Sequence, residues 1–179
     1  KSDTRARTVT DADRRTGAAT PTMPSTDTDR DVELVAVAAV AENGVIGDGR
    51  ELPWHLPHES RRYRERVADE VVALGRRTHD MMADDPAGAR RIVLSRSDRE
   101  YDPPEYLAGG VEEAVEIAGG LGADTLYVLG GEGIYRLFLP HLDRMYLSRV
   151  PGEYEADSFY PEFDEAEWRL ASTTEYEGF

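Results

Sequence analysis

The sequence predicts an α/β fold: a mostly parallel central sheet flanked by helices. Three observations carry it. The stretches Glu33–Val40, Glu70–Leu74, Ile92–Ser95 and Thr125–Leu129 are short and nearly continuous in apolar residues, the pattern of strands buried on both faces. Segments that read as helices separate them, and strands alternating with helices imply parallel pairing. Gly75, Ser95 and Gly130-Gly131 each close a strand, and ligands of open parallel sheets bind at those C-terminal ends.

In chain order, residues 1–31 are rich in Thr, Asp, Arg, Ser and Ala with almost no large apolar group. Too little surface is there to offset the ordering entropy, so a disordered tail is expected. A single domain then covers 32–179. After the first strand comes Val45–Tyr63, V-I-G-D-G-R-E-L-P-W-H-L-P-H-E-S-R-R-Y. Pro53 and Pro57 stiffen this connection. Pro57 suits a first helical position, which puts Glu59 in the first turn. Glu59, Tyr63 and Val67 share one face by i, i+4 spacing. An acidic residue there usually does no more than complement the helix dipole.

Further on, Thr78–Met82 reads as a short helix and Asp84–Ala89 as a turn. Asp98–Gly110, with Pro103 and Pro104, reads as irregular. Val111–Ala118 is a helix with Ala114, Val115 and Ala118 inward. Gly133–Phe138 is a helix stopped by Pro140, Arg144–Val150 a fifth strand and Glu167–Tyr176 a late strand.

Composition bounds the function. The chain of 179 residues carries 36 Asp plus Glu against 21 Lys plus Arg, net −15, and Lys1 is the only lysine. So acidic a surface argues against nucleic-acid and anionic-membrane partners. Acid excess without lysine resembles proteins of salt-loving archaea, where salt screens the self-repulsion. There is no cysteine, hence no disulfide or thiolate chemistry. No apolar run is long enough to cross a bilayer, and a cytoplasmic monomer is expected.

Two glycine sites suggest a nucleotide. Gly75-Arg76-Arg77-Thr78 leaves a strand and opens a helix, where backbone N–H groups favour anions and guanidinium forks suit phosphate. Ser95-Arg96 adds a hydroxyl and a third guanidinium. Surface ion pairing is the plainer account of those arginines. Gly130-Gly131-Glu132-Gly133-Ile134-Tyr135 is the second site; it lacks the spacing of the well-known nucleotide loops, and a tight turn with close packing would explain it as well.

Taken together, N-G-V-I-G followed by L-P-W-x-L-P-x-E-x-x-x-Y resembles the active-site stretch of dihydrofolate reductases. The resemblance implies NADPH as cofactor and dihydrofolate as substrate, with hydride transfer to C6 of the pterin and protonation of N5. Glu59 would bind the pterin and Trp54 an ordered water. Val37, Ala38, Tyr63, Met82, Leu129 and Ser148 would line the substrate side. Ala39, Ile46, Gly75, Arg76, Arg77, Thr78, Ser95, Arg96 and Gly130 to Tyr135 would hold the cofactor, with Glu132, Gly133 and Ile134 in that run. The loop from Gly44 to Leu52 would be a lid, and Asp157-Ser158 would steady it.

Two departures stand out. The family's arginine for the folate tail falls on Ala89, with Arg90 and Arg91 just after it and Arg64 as another candidate; weak dependence on the glutamate moiety is therefore expected. The family also continues beyond the E-G-F segment with a final strand, so the C-terminal edge of the sheet reads as truncated and short of a partner. The competing expectations are a related pyrimidine reductase of riboflavin synthesis and a nucleotide-binding domain without catalysis.

Overall fold

Eight strands form one sheet in the order β5-β4-β3-β6-β2-β7-β1-β8. The computed structural model describes residues 7–14, 32–46, 64–84, 86–97, 99–150, 152–153, 155 and 158–176, with the backbone alone for 7–14 and 171–176. The strands are β1 (Arg7–Arg14), β2 (Glu33–Ala41), β3 (Val71–Gly75), β4 (Arg90–Leu94), β5 (Glu105–Ala108), β6 (Thr125–Val128), β7 (Arg144–Val150) and β8 (Trp168–Tyr176). Three helices are α1 (Arg76–Met81), α2 (Val111–Gly120) and α3 (Glu132–Phe138), and residues 64–67 are also helical.

From β5 to β7 every neighbouring pair is parallel. β2 lies near the middle, bonded to β6 on one side and β7 on the other. Its side chains alternate between the faces, as a strand demands. Leu34, Ala36, Ala38 and Val40 join the larger core with Leu126, Phe138, Met145 and Leu147. Val37 joins a second cluster with Val67, Val72, Leu74, Ala87 and Leu129. A strand buried on both faces has no polar side to show, which is why its sequence is continuous rather than alternating. Each fully buried Leu or Val here contributes on the order of 1.5–3 kcal/mol. Asp143 ties the entry of β7 to that of β2: its carboxylate accepts from Leu34 N at 2.9 Å, and its own N–H donates to Leu34 O at 2.8 Å.

Three sequence expectations need correction. The stretch Asp98–Gly110 contains a strand, β5, parallel to β4 with Ile92 opposite Tyr106. Its four residues, E-Y-L-A, are too few to show a period. Second, residues 7–14 are not part of a disordered tail: they form β1, antiparallel to both β7 and β8. Third, the expected shortage at the C-terminal edge is not what the sheet shows, because β1 lies between β7 and β8. The apolar content of R-T-V-T-D-A-D-R is low, but pairing on both sides satisfies its backbone groups whatever its side chains are. The remaining elements agree with the sequence to within two residues, apart from the 45–63 connection, most of which lies outside the described residues.

Candidate active site

The site is built where β3 and β6 end side by side. Leu129 N–H donates to Ala73 O at 2.8 Å, and Gly75 N–H donates to Gly130 O at 2.9 Å. One residue beyond Gly75 the chain enters α1 at Arg76, and two beyond Gly130 it enters α3 at Glu132. The two glycine turns are pressed together by that bond. A Cβ on Gly75 would lie 3.0 Å from Ile134 Cγ1. Gly130 has φ +99°, and a Cβ there would stand 2.5 Å from the Tyr135 ring, a collision with no room to relax. The Gly130–Gly131 peptide is cis. A Cβ on Gly131 would meet Thr78 Oγ1 at 3.7 Å, so Thr78 of α1 faces the second glycine turn.

Outside the glycines, Arg76, Arg77, Asp80 and Met81 line a cavity of about 490 Å³. Both guanidinium groups are exposed. One strand over, Gly75 is level with Leu94, so Ser95 and Arg96 leave the sheet beside the start of α1. Ser95 Oγ lies 2.8 Å from Ser97 Oγ and accepts from Ser97 N at 3.1 Å; Arg96 is exposed. The donors are those an anionic phosphate chain requires: backbone N–H, hydroxyl and guanidinium.

On the other face of β6, Val37, Leu129 and Met82 meet in the apolar cluster that Val67 also enters. Tyr135 reaches across the sheet, its hydroxyl donating to Val37 O at 2.6 Å. Ser148 is buried in β7, level with Ala39 of β2. The segment after β2 is held in place by the segment before β8. Ile46 N–H donates to Ser158 O at 3.1 Å, Tyr160 N–H donates to Gly44 O at 2.9 Å, and Val45 bridges to Phe159. Glu132 of α3 joins this junction by accepting from Phe159 N at 3.0 Å. The start of the expected lid is therefore anchored on both strands. Residues 47–52, Trp54, Glu59, Tyr63 and Asp157 lie outside the described residues.

The sequence model for the family described as Dihydrofolate reductase matches residues 33–178. This chain belongs to the dihydrofolate reductase family. It is 37% identical over 166 residues to dihydrofolate reductase 1 of Haloarcula marismortui, covering 83% of this chain and 89% of the relative. To dihydrofolate reductase HdrB of Haloferax volcanii it is 32% identical, covering 86% and 84%. Among solved structures, a dihydrofolate reductase from Enterococcus faecalis complexed with NADP(H) and RAB-propyl superposes with a TM-score of 0.65. That pair is 28% identical over 76% of this chain and 81% of the other.

Within this dihydrofolate reductase, some residues stand elsewhere than the sequence suggested. Ala38 points its side chain into the core on the far side of the sheet from Val37; a two-residue period separates the pair. Arg90, a candidate to replace the tail arginine, is engaged, and so is Arg91 beside it. Arg90 Nη1 donates to Leu121 O at 3.1 Å. Arg91 is buried, its Nε 2.7 Å from Glu105 Oε1 and its Nη1 on the carbonyls of Gly88, at 2.9 Å, and Ala87. It braces the turn before β4. Sequence reasoning also passed over His79 in α1, whose Nε2 lies 3.6 Å from the same Glu105 oxygen and whose ring stands edge-on to Tyr101. The signal available was an arginine in the first half of a buried strand, which demands an internal carboxylate partner.

Proposed function

We propose that the site reduces 7,8-dihydrofolate to tetrahydrofolate, with Glu59 as the single acidic group on the pterin. The observation that supports this best is the junction of the Gly75 and Gly130 turns. It sets an anion-suited cavity on one side of the strand ends and the Val37–Met82–Leu129 surface on the other.

The residues present suit NADPH. Gly131 leaves backbone partly uncovered, Thr78 stands beside it, and Arg76 and Arg77 open onto the cavity. Thr78, Ser95 and the three guanidinium groups of Arg76, Arg77 and Arg96 hold the phosphates. When bound, NADPH supplies the hydride for C6 of the pterin. The chain's own part is to bind, orient and exclude water. Val37, Met82 and Leu129 give the pterin an apolar wall. Val67 enters that wall, and Glu59 and Tyr63 precede it at i, i+4 spacing in the sequence. Glu59 accepts hydrogen bonds from the pterin amino group and ring N–H. Were burial to raise its pKa, Glu59 would help deliver the N5 proton through a water held by Trp54. Ser148 presents a hydroxyl from β7. The segment anchored at Gly44 and Ile46 closes over the reacting atoms. The acidic surface supports a cytoplasmic monomer that works in concentrated salt.

The test is the loss of NADPH absorbance with dihydrofolate in molar salt. Glu59→Gln should lower turnover by roughly 100-fold or more, the scale of a lost general acid, with NADPH affinity little changed. Equal losses in both would remove Glu59 from this role. In the same assay, Arg76→Ala with Arg77→Ala should narrow the preference for NADPH over NADH by about tenfold or more, since charge-assisted phosphate contacts are strong. An unchanged preference would place the 2′-phosphate elsewhere.

A further inference from the structure

We propose that His79 is a positioning residue for the cofactor phosphate. With a proton bound, it holds the Asp80 carboxylate away from Arg76 and Arg77 and seats α1 against β5. This role rests on the assignment of those two arginines to the phosphate. α1 has little of its own to fix it in place. None of its six residues is buried; Thr78 and His79 are half-buried and the other four exposed. Where its guanidinium groups open therefore depends on what those two side chains meet. Thr78 faces the Gly131 turn, and His79 meets β5.

Asp80 is out of place in a phosphate cavity. It lines the same space as Arg76 and Arg77. Residues three and four apart on a helix are neighbours, so its carboxylate is within reach of both guanidinium groups, and its charge repels a phosphate. The carboxylate is engaged elsewhere. Its Oδ1 lies 3.8 Å from Arg99 Nη1 and 3.9 Å from His79 Nδ1. The other imidazole nitrogen, Nε2, lies 3.6 Å from Glu105 Oε1, an oxygen that already accepts from Arg91 Nε at 2.7 Å. The Tyr101 ring stands edge-on to the imidazole at 5.6 Å. The groups facing His79 are thus Asp80 on its own helix, Glu105 on β5 and Tyr101 ahead of β5. Arg99 and Arg91 stand behind the two carboxylates.

The protonation state of His79 decides how this cluster is shared. Its Nδ1 is buried and, among the described residues, has no hydrogen-bond partner. A neutral imidazole donates from one nitrogen, an imidazolium from both. With a carboxylate facing each nitrogen, only the imidazolium can serve both, each gap closing by a few tenths of an ångström to hydrogen-bond length. The neutral ring sets a lone pair against one carboxylate. Asp80 then loses one of the two cations that face it, and Arg76 and Arg77 are the next in reach. Proton uptake by His79 frees these arginines for phosphate, and proton loss ties them up. Molar salt shortens the reach of charge to about 3 Å. What acts there is this exchange of contact partners, not a field across the cavity.

Dissociation constants of NADPH and NADH are measured by fluorescence on the full chain in molar salt. The proteins are wild type, His79→Gln, Asp80→Asn and the double variant, from about pH 6 to about pH 8.5, where histidine changes charge. The quantity read is the preference for NADPH over NADH, so any general loosening cancels within each protein. A phosphate monoester itself takes up a proton at about pH 6, and the ratio of wild type to variant at each pH removes that contribution. We expect the wild-type preference to exceed that of His79→Gln by about threefold at the acid end, the scale of a partly exposed ion pair. The two should converge at the alkaline end. With Asp80→Asn in place, His79→Gln should have little further effect, the coupling of a double-mutant cycle. A ratio that does not change with pH overturns the proposal. So does a His79→Gln loss that persists in full without Asp80. Arg76→Ala with Arg77→Ala, in the same assay, separates the two readings. A preference lost there but unmoved by His79→Gln overturns the role of His79 alone. A preference unmoved by either overturns the phosphate assignment and the role of His79 with it.

Discussion

β2 and β1 flank the same strand, and they are held there by different physics. On one side of β7, β2 runs parallel from Val35 opposite Arg144 to Ala41 opposite Val150. It is apolar along its length and packed on both faces. On the other side β1 runs antiparallel, polar at most positions, and continues into β8 through a register shift between Asp11 and Ala12. Removing water from side chains stabilises β2; main-chain bonds to two neighbours stabilise β1. A strand of the first kind belongs to one place, because each of its faces is packed against particular neighbours. A strand of the second kind is specified by the gap it fills.

Three substitutions sharpen that contrast. Leu34→Ala in β2 removes a fully buried side chain and should cost about 2–5 kcal/mol, read as a lower denaturant midpoint in molar salt. A cost under ~1 kcal/mol would mean that the core around β2 relaxes as an edge does. Thr10→Pro in β1 keeps that core intact but deletes a ladder donor and leaves an acceptor unmet. It should cost about 1–3 kcal/mol, and a loss as large as that of Leu34→Ala would erase the distinction drawn between the two flanks. Tyr160→Phe is the mildest. It removes a hydroxyl that donates to Met145 Sδ at 2.9 Å, a weak acceptor, and should change stability by less than ~1 kcal/mol near neutral pH.

Its consequence appears in alkali. Burial pushes the Tyr160 phenol well above its ordinary value near 10, although Arg149 pulls the other way. The raised folded-state pKa means that, from about pH 10 upward, the unfolded chain releases this proton and the folded one keeps it. Stability is then lost as pH rises, since the unfolded state binds fewer protons. Tyr160→Phe should flatten the alkaline slope of the unfolding free energy. An identical slope in both proteins would assign it to other groups.

The same difference explains what could be read from the sequence. Of the parallel strands, β2, β3, β4 and β6 are apolar runs, the last three ended by glycine or serine, while β5 is too short to show itself. The glycine turns, the arginines of α1 and the Val37–Leu129 wall follow from those runs, because strand ends in such a sheet gather at one edge. Alternation also decides Ala38: next to Val37 in the chain, it has to face away. Neither β1 nor the Arg91–Glu105 pair with His79 beside it could be read this way. A polar octapeptide between Arg7 and Arg14 has no preference that announces a strand; its partners lie at the other end of the chain. The carboxylate partner of Arg91 lies on β5, the strand the sequence hid.

The position of β1 also sets an order of events in synthesis. Among the described strands it is the first to be synthesised, yet the strands on either side of it are the last two of them. Until β7 and β8 exist, β1 has nothing to pair with, while β2 to β6 can already collapse around their own core. Among the described strands, the sheet therefore closes from the inside outward. That final long-range pairing, Arg7 with Tyr176 at its extreme, is the step most exposed to a nascent chain's delays.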